Sequence, residues 1–135
     1  MPDTQKIEGS CHCGQVRWRF DGDPGPVTAC NCTLCRRYGV LWAYDYVDGR
    51  ITVEGETSVY SWGDRDIGFH FCPQCGNIAY WRGIKPSQDG RRRIAVNVRL
   101  ADPDAVAALP VKHLDGFETW RNVPRGTSCV ADLWF

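Results

Sequence analysis

Alternation of apolar and polar residues is the main structural signal in this chain. Val16, Trp18 and Phe20 alternate with two arginines, which is the period of two expected of a half-buried strand. Residues 94–98 alternate in a similar way, with Ile and Val separated by Ala and Asn. Gly and Pro residues separate short apolar runs, as expected of turns, and form no linker. The pattern therefore predicts a mainly β protein built from short strands.

Further segments have the same character and are bounded by turn residues. Besides the strand around residues 16–20, we predict strands at 27–30, 41–47, 50–54, 58–62, 67–71, 77–81 and 93–100. Asp48 and Gly49 separate the strands at 41–47 and 50–54, and both residue types tolerate the positive φ of a tight hairpin turn. We therefore expect these two strands to pair as a hairpin within a mostly antiparallel sheet.

Helical signals are few and short. Residues 33–38 are expected to form one helical turn, with Thr33 as its cap and Gly39 as its stop. Residues 102–109 are expected to form at most two turns, because Asp102 is a good N-cap and the proline after it suits the first helical position. The chain thus contains one or two short helices.

The C-terminal segment, residues 111–135, has no clear periodicity. It carries four residues of chemical or structural interest, His113, Trp120, Cys129 and Trp134. We expect irregular structure with a final strand there.

Length and charge exclude several classes of function. With 135 residues, 43% of them hydrophobic, the chain is expected to form one domain over residues 1–135. Sixteen basic residues balance sixteen acidic ones, so no nucleic acid or anionic membrane is expected as partner. The polar N-terminus has no apolar signal-peptide core, and no later run approaches the roughly 18 apolar residues of a membrane span. We therefore expect a cytoplasmic protein.

The eight cysteines change this picture, because a reducing compartment favours metal binding or catalysis over disulfides. Seven of them form three tight sets, namely Cys11-x-Cys13, Cys30-x-Cys32-x-x-Cys35 and Cys72-x-x-Cys75. Cys129 stands apart and is expected to be a small buried hydrophobe.

Two of the sets complete each other. Cys11 and Cys13 with Cys72 and Cys75 supply the four sulfurs of a closed tetrahedral zinc site. Gly76, directly after the second pair, suits a turn in which backbone amides approach thiolates with no side chain in the way. The competing interpretation is two reduced pairs that fill the core. His12, between the first two cysteines, would point the opposite way on an extended strand and is expected to be a solvated spacer.

The third set is one ligand short of a closed site. Cys30, Cys32 and Cys35 on one zinc would leave a position for water or substrate, as catalytic zinc does. Two alternatives remain open. A fourth ligand from His70, His113 or Cys129 would make the site structural, or the seven cysteines would divide between the metals in another way.

Polar and aromatic residues next to this set suggest a substrate. Arg36 and Arg37 could donate to the carboxylates of an anionic thiol and lower nearby thiol pKa values, although a solvated helical turn would contain such a pair as well. Trp42, Tyr44 and Tyr46 alternate on one strand face and are expected to form core or pocket wall.

The cysteine sets and their flanking residues resemble the glutathione-dependent formaldehyde-activating enzyme (GFA) family, which includes centromere-protein-V-like proteins. The resemblance is carried by Gly9-Ser10-Cys11-His12-Cys13-Gly14-x-Val16, by Cys30-Asn31-Cys32-Thr33-Leu34-Cys35-Arg36-Arg37-x-Gly39 and by Phe71-Cys72-Pro73-Gln74-Cys75-Gly76-Asn77. Weaker support comes from Val96-Asn97-Val98, Asp102-Pro103, His113 and Trp120. These motifs extend over nearly the whole chain.

The resemblance implies a β-tent fold, in which short antiparallel sheets surround a structural zinc. It implies that Cys11, Cys13, Cys72 and Cys75 hold that zinc and that Cys30, Cys32 and Cys35 hold a more labile, catalytic one. The implied activity is of the carbon-sulfur lyase type, with glutathione and formaldehyde condensing to S-hydroxymethylglutathione. Val40 and Trp42 depart from the family pattern, where smaller residues are common, and so are expected to alter the pocket.

Two other functions compete with this one. The same fold also serves as a non-catalytic, zinc-stabilised protein-binding module, and a fold does not fix a function. B-type methionine sulfoxide reductases share the general architecture and place a redox cysteine near the C-terminus, as Cys129 is here. Those enzymes close their zinc with two Cys-x-x-Cys pairs, whereas this chain instead has the Cys11-x-Cys13 pair and the extra set of three cysteines.

Overall fold

The computed structural model describes residues 5–126 and 128–133, and the predicted mainly β class is confirmed. The strands are β1 (Lys6–Ser10), β2 (Arg17–Asp21), β3 (Val27–Cys30), β4 (Trp42–Tyr46), β5 (Ile51–Glu54), β6 (Ser58–Tyr60), β7 (Ile67–Phe71), β8 (Ile78–Gly83), β9 (Arg93–Asn97), β10 (Val111–Asp115) and β11 (Arg121–Val123). The helices are α1 (Cys35–Tyr38) and α2 (Pro103–Val106), with 3-10 turns at Val98–Leu100 and Val130–Leu133. The polar N-terminal stretch lies largely outside the described residues, as does Trp134.

The strands form two sheets. The smaller sheet has the order β1-β2-β5, and the larger has the order β11-β10-β3-β4-β9-β8-β7-β6. Their pairings are antiparallel except for β10 and β3, which run parallel from Val111 opposite Val27 to Leu114 opposite Cys30. This parallel pair brings the C-terminal third of the chain beside the central cysteines.

The apolar alternation of β2 creates one half of the main core. Trp18 and Phe20 are almost fully buried, whereas Arg17 and Arg19 on the other face are exposed. Burying each of the two rings stabilises the fold by about 1.5–3 kcal/mol. Apolar residues of both sheets meet in this core, including Ile94 and Val96 of β9.

Strand β9 is buried on both faces. Ile94 and Val96 pack in the main core, while Ala95 packs in a second apolar cluster with Trp42, Trp81 and the central cysteines. The predicted alternation is therefore present in sequence, but it does not separate a buried face from an exposed one. The predicted strand at 93–100 also ends early, because residues Val98–Leu100 turn into a 3-10 helix.

The predicted hairpin at Asp48 and Gly49 is wrong. The turn itself forms, since Asp48 has a φ of 70° and the Gly49 amide donates to the Tyr46 carbonyl at 2.9 Å. However, β4 pairs with β3 and β9, whereas β5 pairs with β2 in the other sheet. The carboxylate of Asp45 accepts from the Arg50 amide at 2.6 Å, so the turn is closed by a side chain as the chain passes between sheets.

Both predicted helices form, and both are shorter than expected. Gly39 ends α1 in the left-handed conformation, with φ 67°, as predicted. Thr33 is not its cap, because the position before the helix is Leu34, which makes no side-chain capping bond. Asp102 does cap α2, accepting from the Asp104 amide at 2.9 Å.

The C-terminal segment is more regular than expected. It contributes β10 and β11, which pair with each other around a turn at residues 116–120. None of the helices in the described ranges has the length and apolar character needed to cross a membrane.

Candidate metal centres and adjoining cavity

Four sulfurs meet where the end of β1 approaches the end of β7. The Sγ atoms of Cys11, Cys13, Cys72 and Cys75 all lie within 4.8 Å of one another. Sγ of Cys13 is 3.7 Å from that of Cys11 and 3.6 Å from that of Cys72. A tetrahedral zinc with Zn–S bonds of about 2.3 Å requires sulfurs about 3.8 Å apart. The spacing of this group, the sulfur tetrad, therefore fits zinc.

Backbone amides point at the sulfurs of the tetrad. The amide of Val16 donates to Sγ of Cys11 at 3.2 Å, and those of Gln74 and Cys75 donate to Sγ of Cys72 at 3.4 Å. Such donors favour the thiolate form that binds metal. Gly76 is needed in this turn for its positive φ of +80°, and not for space, because an added Cβ would meet nothing within 4 Å. This differs from the close approach predicted from the sequence.

His12 lies between two cysteines of the tetrad and is exposed, as expected for a spacer. Its backbone amide donates to Oδ1 of Asn77 at 2.7 Å, and that oxygen also lies 3.8 Å from Sγ of Cys75. Asn77 therefore ties the two cysteine loops together directly.

The other three clustered cysteines form a second group, the sulfur trio. Cys30 ends β3, Cys32 lies in the following turn and Cys35 begins α1. Their Sγ atoms lie within 4.8 Å of one another, and among the described residues no His, Asp, Glu or further Cys joins them. Cys32 and Cys35 are 8% and 6% exposed, while Cys30 is half-buried. The seven sulfurs are thus grouped in the predicted partition.

Hydrogen bonding among the three thiols sets their proton affinities. Donation from Cys30 and then Cys35 holds the pKa of Cys32 down at about 2. The same bond with Cys32 raises the pKa of Cys30, and bonds to Cys30 and Cys32 raise that of Cys35. The thiolate of Cys32 therefore accepts hydrogen bonds from the thiols of Cys30 and Cys35. Binding of a cation to the three sulfurs would release the two thiol protons.

The suggested fourth ligands lie elsewhere. Nδ1 of His70 is 2.8 Å from Oγ1 of Thr57, and its ring stacks on Tyr80 with centroids 4.5 Å apart. His113 lies on β10, and Cys129 is half-buried and bridged to Pro110. Within residues 5–126 and 128–133, none of the three therefore joins the sulfur trio as a fourth ligand.

A turn that the sequence analysis missed packs directly on the sulfur trio. A Cβ added to Gly116 would lie 2.6 Å from Sγ of Cys30 and 3.0 Å from Cβ of Cys32, so only glycine fits there. The carboxylate of Asp115 holds this turn by accepting from Asn31, Thr119 and backbone amides. Desolvation alone would raise the pKa of Asp115, but these bonds hold it at about 2.

A cavity of about 380 Å³ opens above the sulfur trio. Besides the three cysteines, it is lined by Trp42, Tyr44, Trp62, Gly63, Asp64, Asp66, Ile67, Phe69, Trp81, Leu114 and Trp120. Trp42 and Tyr44 thus form pocket wall, whereas Tyr46 stacks under the Arg91 guanidinium, 3.7 Å from its ring centroid. We call this space the aromatic cavity.

The two candidate arginines have different surroundings. Arg36 lines a smaller recess of about 160 Å³ together with Cys30, His113 and Arg125. Arg37 instead donates through Nη1 to the Thr33 carbonyl at 2.6 Å, within its own turn. We call the recess beside Arg36 the basic recess, and Arg37 does not line it.

Comparisons with known proteins show a family to which the chain is similar. A profile of the family described as glutathione-dependent formaldehyde-activating enzyme matches residues 6–114. A Halomonas elongata protein, provisionally named as an enzyme of that kind, is 35% identical in an alignment that covers 56% of this chain and 54% of the relative. The chain therefore spans about half the length of this curated relative.

A solved structure supports the architecture. The crystal structure of a Rhodobacter sphaeroides protein matches with a TM-score of 0.59 and 23% identity, covering 77% of this chain and 98% of that protein. At this identity the likeness concerns the fold alone.

Proposed function

The chain belongs to the glutathione-dependent formaldehyde-activating enzyme family, and from this premise we propose that it is a zinc-dependent enzyme of the carbon-sulfur lyase type. Its substrate would be the adduct of a small thiol and an aldehyde, as in S-hydroxymethylglutathione. In the forming direction, the thiol sulfur bonds to the carbonyl carbon and the thiol proton passes to the carbonyl oxygen. We expect the protein to work in the cytoplasm, where reducing conditions keep its thiols free.

One observation carries the proposal: the three sulfurs of the trio line a cavity and no fourth Cys, His, Asp or Glu of the described residues joins them, whereas the tetrad groups four sulfurs. The residues present fit zinc in both groups, since each consists of soft sulfur ligands at suitable spacing. Zinc held by Cys30, Cys32 and Cys35 would supply Lewis acidity toward a thiol or a carbonyl oxygen. We assign a structural role to zinc in the tetrad.

Other residues of the chain would fix the sulfurs in place and position the reactants. The indole of Trp42 donates to Cys35 and fixes one side of the trio. The aromatic walls would limit the water above the sulfurs, which favours holding two small reactants together. Arg36, beside Cys30, would attract a carboxylate of the thiol.

Cobalt substitution tests the proposal, because Co²⁺ bound to sulfur absorbs visible light according to its ligands. Adding glutathione to the cobalt-loaded protein should change that spectrum, and the change should be lost in Cys32→Ser. Cys32→Ser should bind one equivalent of zinc in place of two, while Cys13→Ser should lose folded structure, since it opens the tetrad.

The competing function is a zinc-stabilised binding module, and exposed Trp120 at the mouth of the cavity would suit it as well. A Cys32→Ser variant that keeps two zinc ions and full stability, in a protein whose cobalt spectrum no thiol disturbs, would favour the module.

A further inference from the structure

The aromatic cavity is much larger than formaldehyde requires. A water molecule occupies about 30 Å³ of liquid, and formaldehyde has only one more heavy atom. The cavity measures about 380 Å³, which is within the range of sites that hold drug-sized ligands. The space above the sulfur trio therefore has room for a substituent of aromatic size.

The lining of this cavity is suited to an apolar group. Six aromatic residues line it, and the ring of Trp42 contacts those of Phe69 and Trp81, with centroids 6.2 and 6.4 Å away. Tyr44 adds to this wall, with its ring 5.9 Å from that of Trp81. Mutual contacts of this kind hold the rings in place, so the walls are largely preformed.

Its charged groups disfavour carboxylates. Asp64 and Asp66 line the aromatic cavity, and no Lys, Arg or His is among its lining residues. Asp66 is paired with Lys85 at 3.0 Å, which leaves the carboxylate of Asp64 to repel an anion. The two carboxylates of a glutathione-like thiol would therefore avoid this cavity.

The basic recess offers those carboxylates a different place. It shares the lining residues Cys30 and Leu114 with the aromatic cavity. Arg36 and Arg125 supply positive charge there, and Nε2 of His113 is buried without a hydrogen-bond partner in the described structure. A carboxylate in the recess would accept hydrogen bonds from these groups.

From these two environments we propose that the substrate joins an anionic thiol to an aldehyde with an aromatic or similarly large apolar substituent. The thiol half extends toward the basic recess, and the substituent of the aldehyde fills the aromatic cavity. This inference rests on the proposed function and extends it from formaldehyde to apolar aldehydes. The reaction balances as before: sulfur bonds to the carbonyl carbon, and the thiol proton moves to the carbonyl oxygen.

Two stable analogues test the inference by binding, without turnover. S-methylglutathione and S-benzylglutathione differ only in the group attached to sulfur, and isothermal titration of the zinc-loaded protein compares them. The benzyl compound should bind about tenfold more tightly or better, because its ring becomes buried. Quenching of tryptophan fluorescence should accompany binding, since four tryptophans line the cavity.

Two variants test whether the benzyl ring binds in the aromatic cavity. Trp62 lines the cavity and Tyr60 does not, and the two side chains are similarly exposed, at 44% and 47%. Trp62→Ala should lower the affinity for the benzyl compound several-fold and leave that for the methyl compound unchanged, whereas Tyr60→Ala should change neither. Equal binding of the two compounds to the parent protein would overturn the inference and leave the proposed function standing. Absence of binding by both would overturn the two together.

Discussion

The indole nitrogen of Trp42 lies 3.4 Å from Sγ of Cys35 and donates a hydrogen bond to it. Through this bond a wall of the aromatic cavity also holds one sulfur of the trio. Trp42 is 2% exposed and packs against Phe69 and Trp81, so the donor is fixed in position. A change at Trp42 would therefore affect the sulfur group as well as the pocket shape.

We predict that Trp42→Phe weakens metal binding at the sulfur trio about tenfold or more, because second-shell donors commonly contribute 10–100-fold to metal affinity. Titration with a competing chelator measures this, and the tetrad should keep its affinity. Trp81→Phe is the matched control, since Trp81 lines the same cavity and has no sulfur partner in the described structure. Equal losses in the two variants would show that the effect comes from packing.

We predict that Gly116→Ala removes metal from the sulfur trio and leaves the tetrad occupied. The new methyl group would lie 2.6 Å from Sγ of Cys30, which is too close to be accommodated without moving the turn or the sulfur. Zinc content should fall from two equivalents to one. Gly126→Ala should keep both, because nothing lies within 4 Å of a Cβ at that position.

The two arginines after the sulfur trio should differ in effect. Arg36→Gln should weaken binding of glutathione about tenfold, as expected for loss of one charge-assisted hydrogen bond. Arg37→Gln should change affinity less than about twofold, since its guanidinium bonds to the Thr33 carbonyl within its own turn. Binding titrations of the two variants against the parent provide the measurement. A larger loss in Arg37→Gln would place the thiol on the other side of α1.

The cysteine partition could be predicted from sequence because metal ligation imposes short spacings that core packing does not. Cys11 with Cys13 and Cys72 with Cys75 are each too close together to be unrelated, and each pair lacks two ligands. The four ligands that a structural zinc requires therefore predicted which distant segments meet.

Other contacts between distant segments could not be predicted, because a local sequence signal does not specify which distant segment it pairs with. Asp48 and Gly49 do specify a turn, yet the strand beyond it joins a different sheet. Gly116 lies in a segment without periodicity, and its contact with Cys30 depends on the parallel pairing of β10 with β3. Arg36 and Arg37 are neighbours in sequence, and only the helical turn directs them to different surroundings.

Stability should fall with acid in part through His70. Burial first, and then the charge of Arg82, lower the pKa of His70 below its usual value near 6.5. Because its folded-state pKa is depressed, the neutral ring contributes stability above about pH 6.5, and that contribution is lost as the pH falls below this value. The melting temperature of the zinc-saturated protein should therefore decrease from pH 7.5 to 5.5.

A variant without His70 separates this effect from acid release of zinc. His70→Gln should lower the melting temperature at pH 7.5, where the stacking on Tyr80 and the bond with Thr57 are lost, and should show a smaller further decrease at pH 5.5. His12→Gln makes the same change at an exposed ring and should keep the parent's pH dependence. Since all three proteins keep the same cysteine ligands, zinc loss would act on them alike. A parent and a His70→Gln variant with equal decreases would show that the acid sensitivity comes from other groups, namely the metal sites or His113, whose pKa is also lowered by burial.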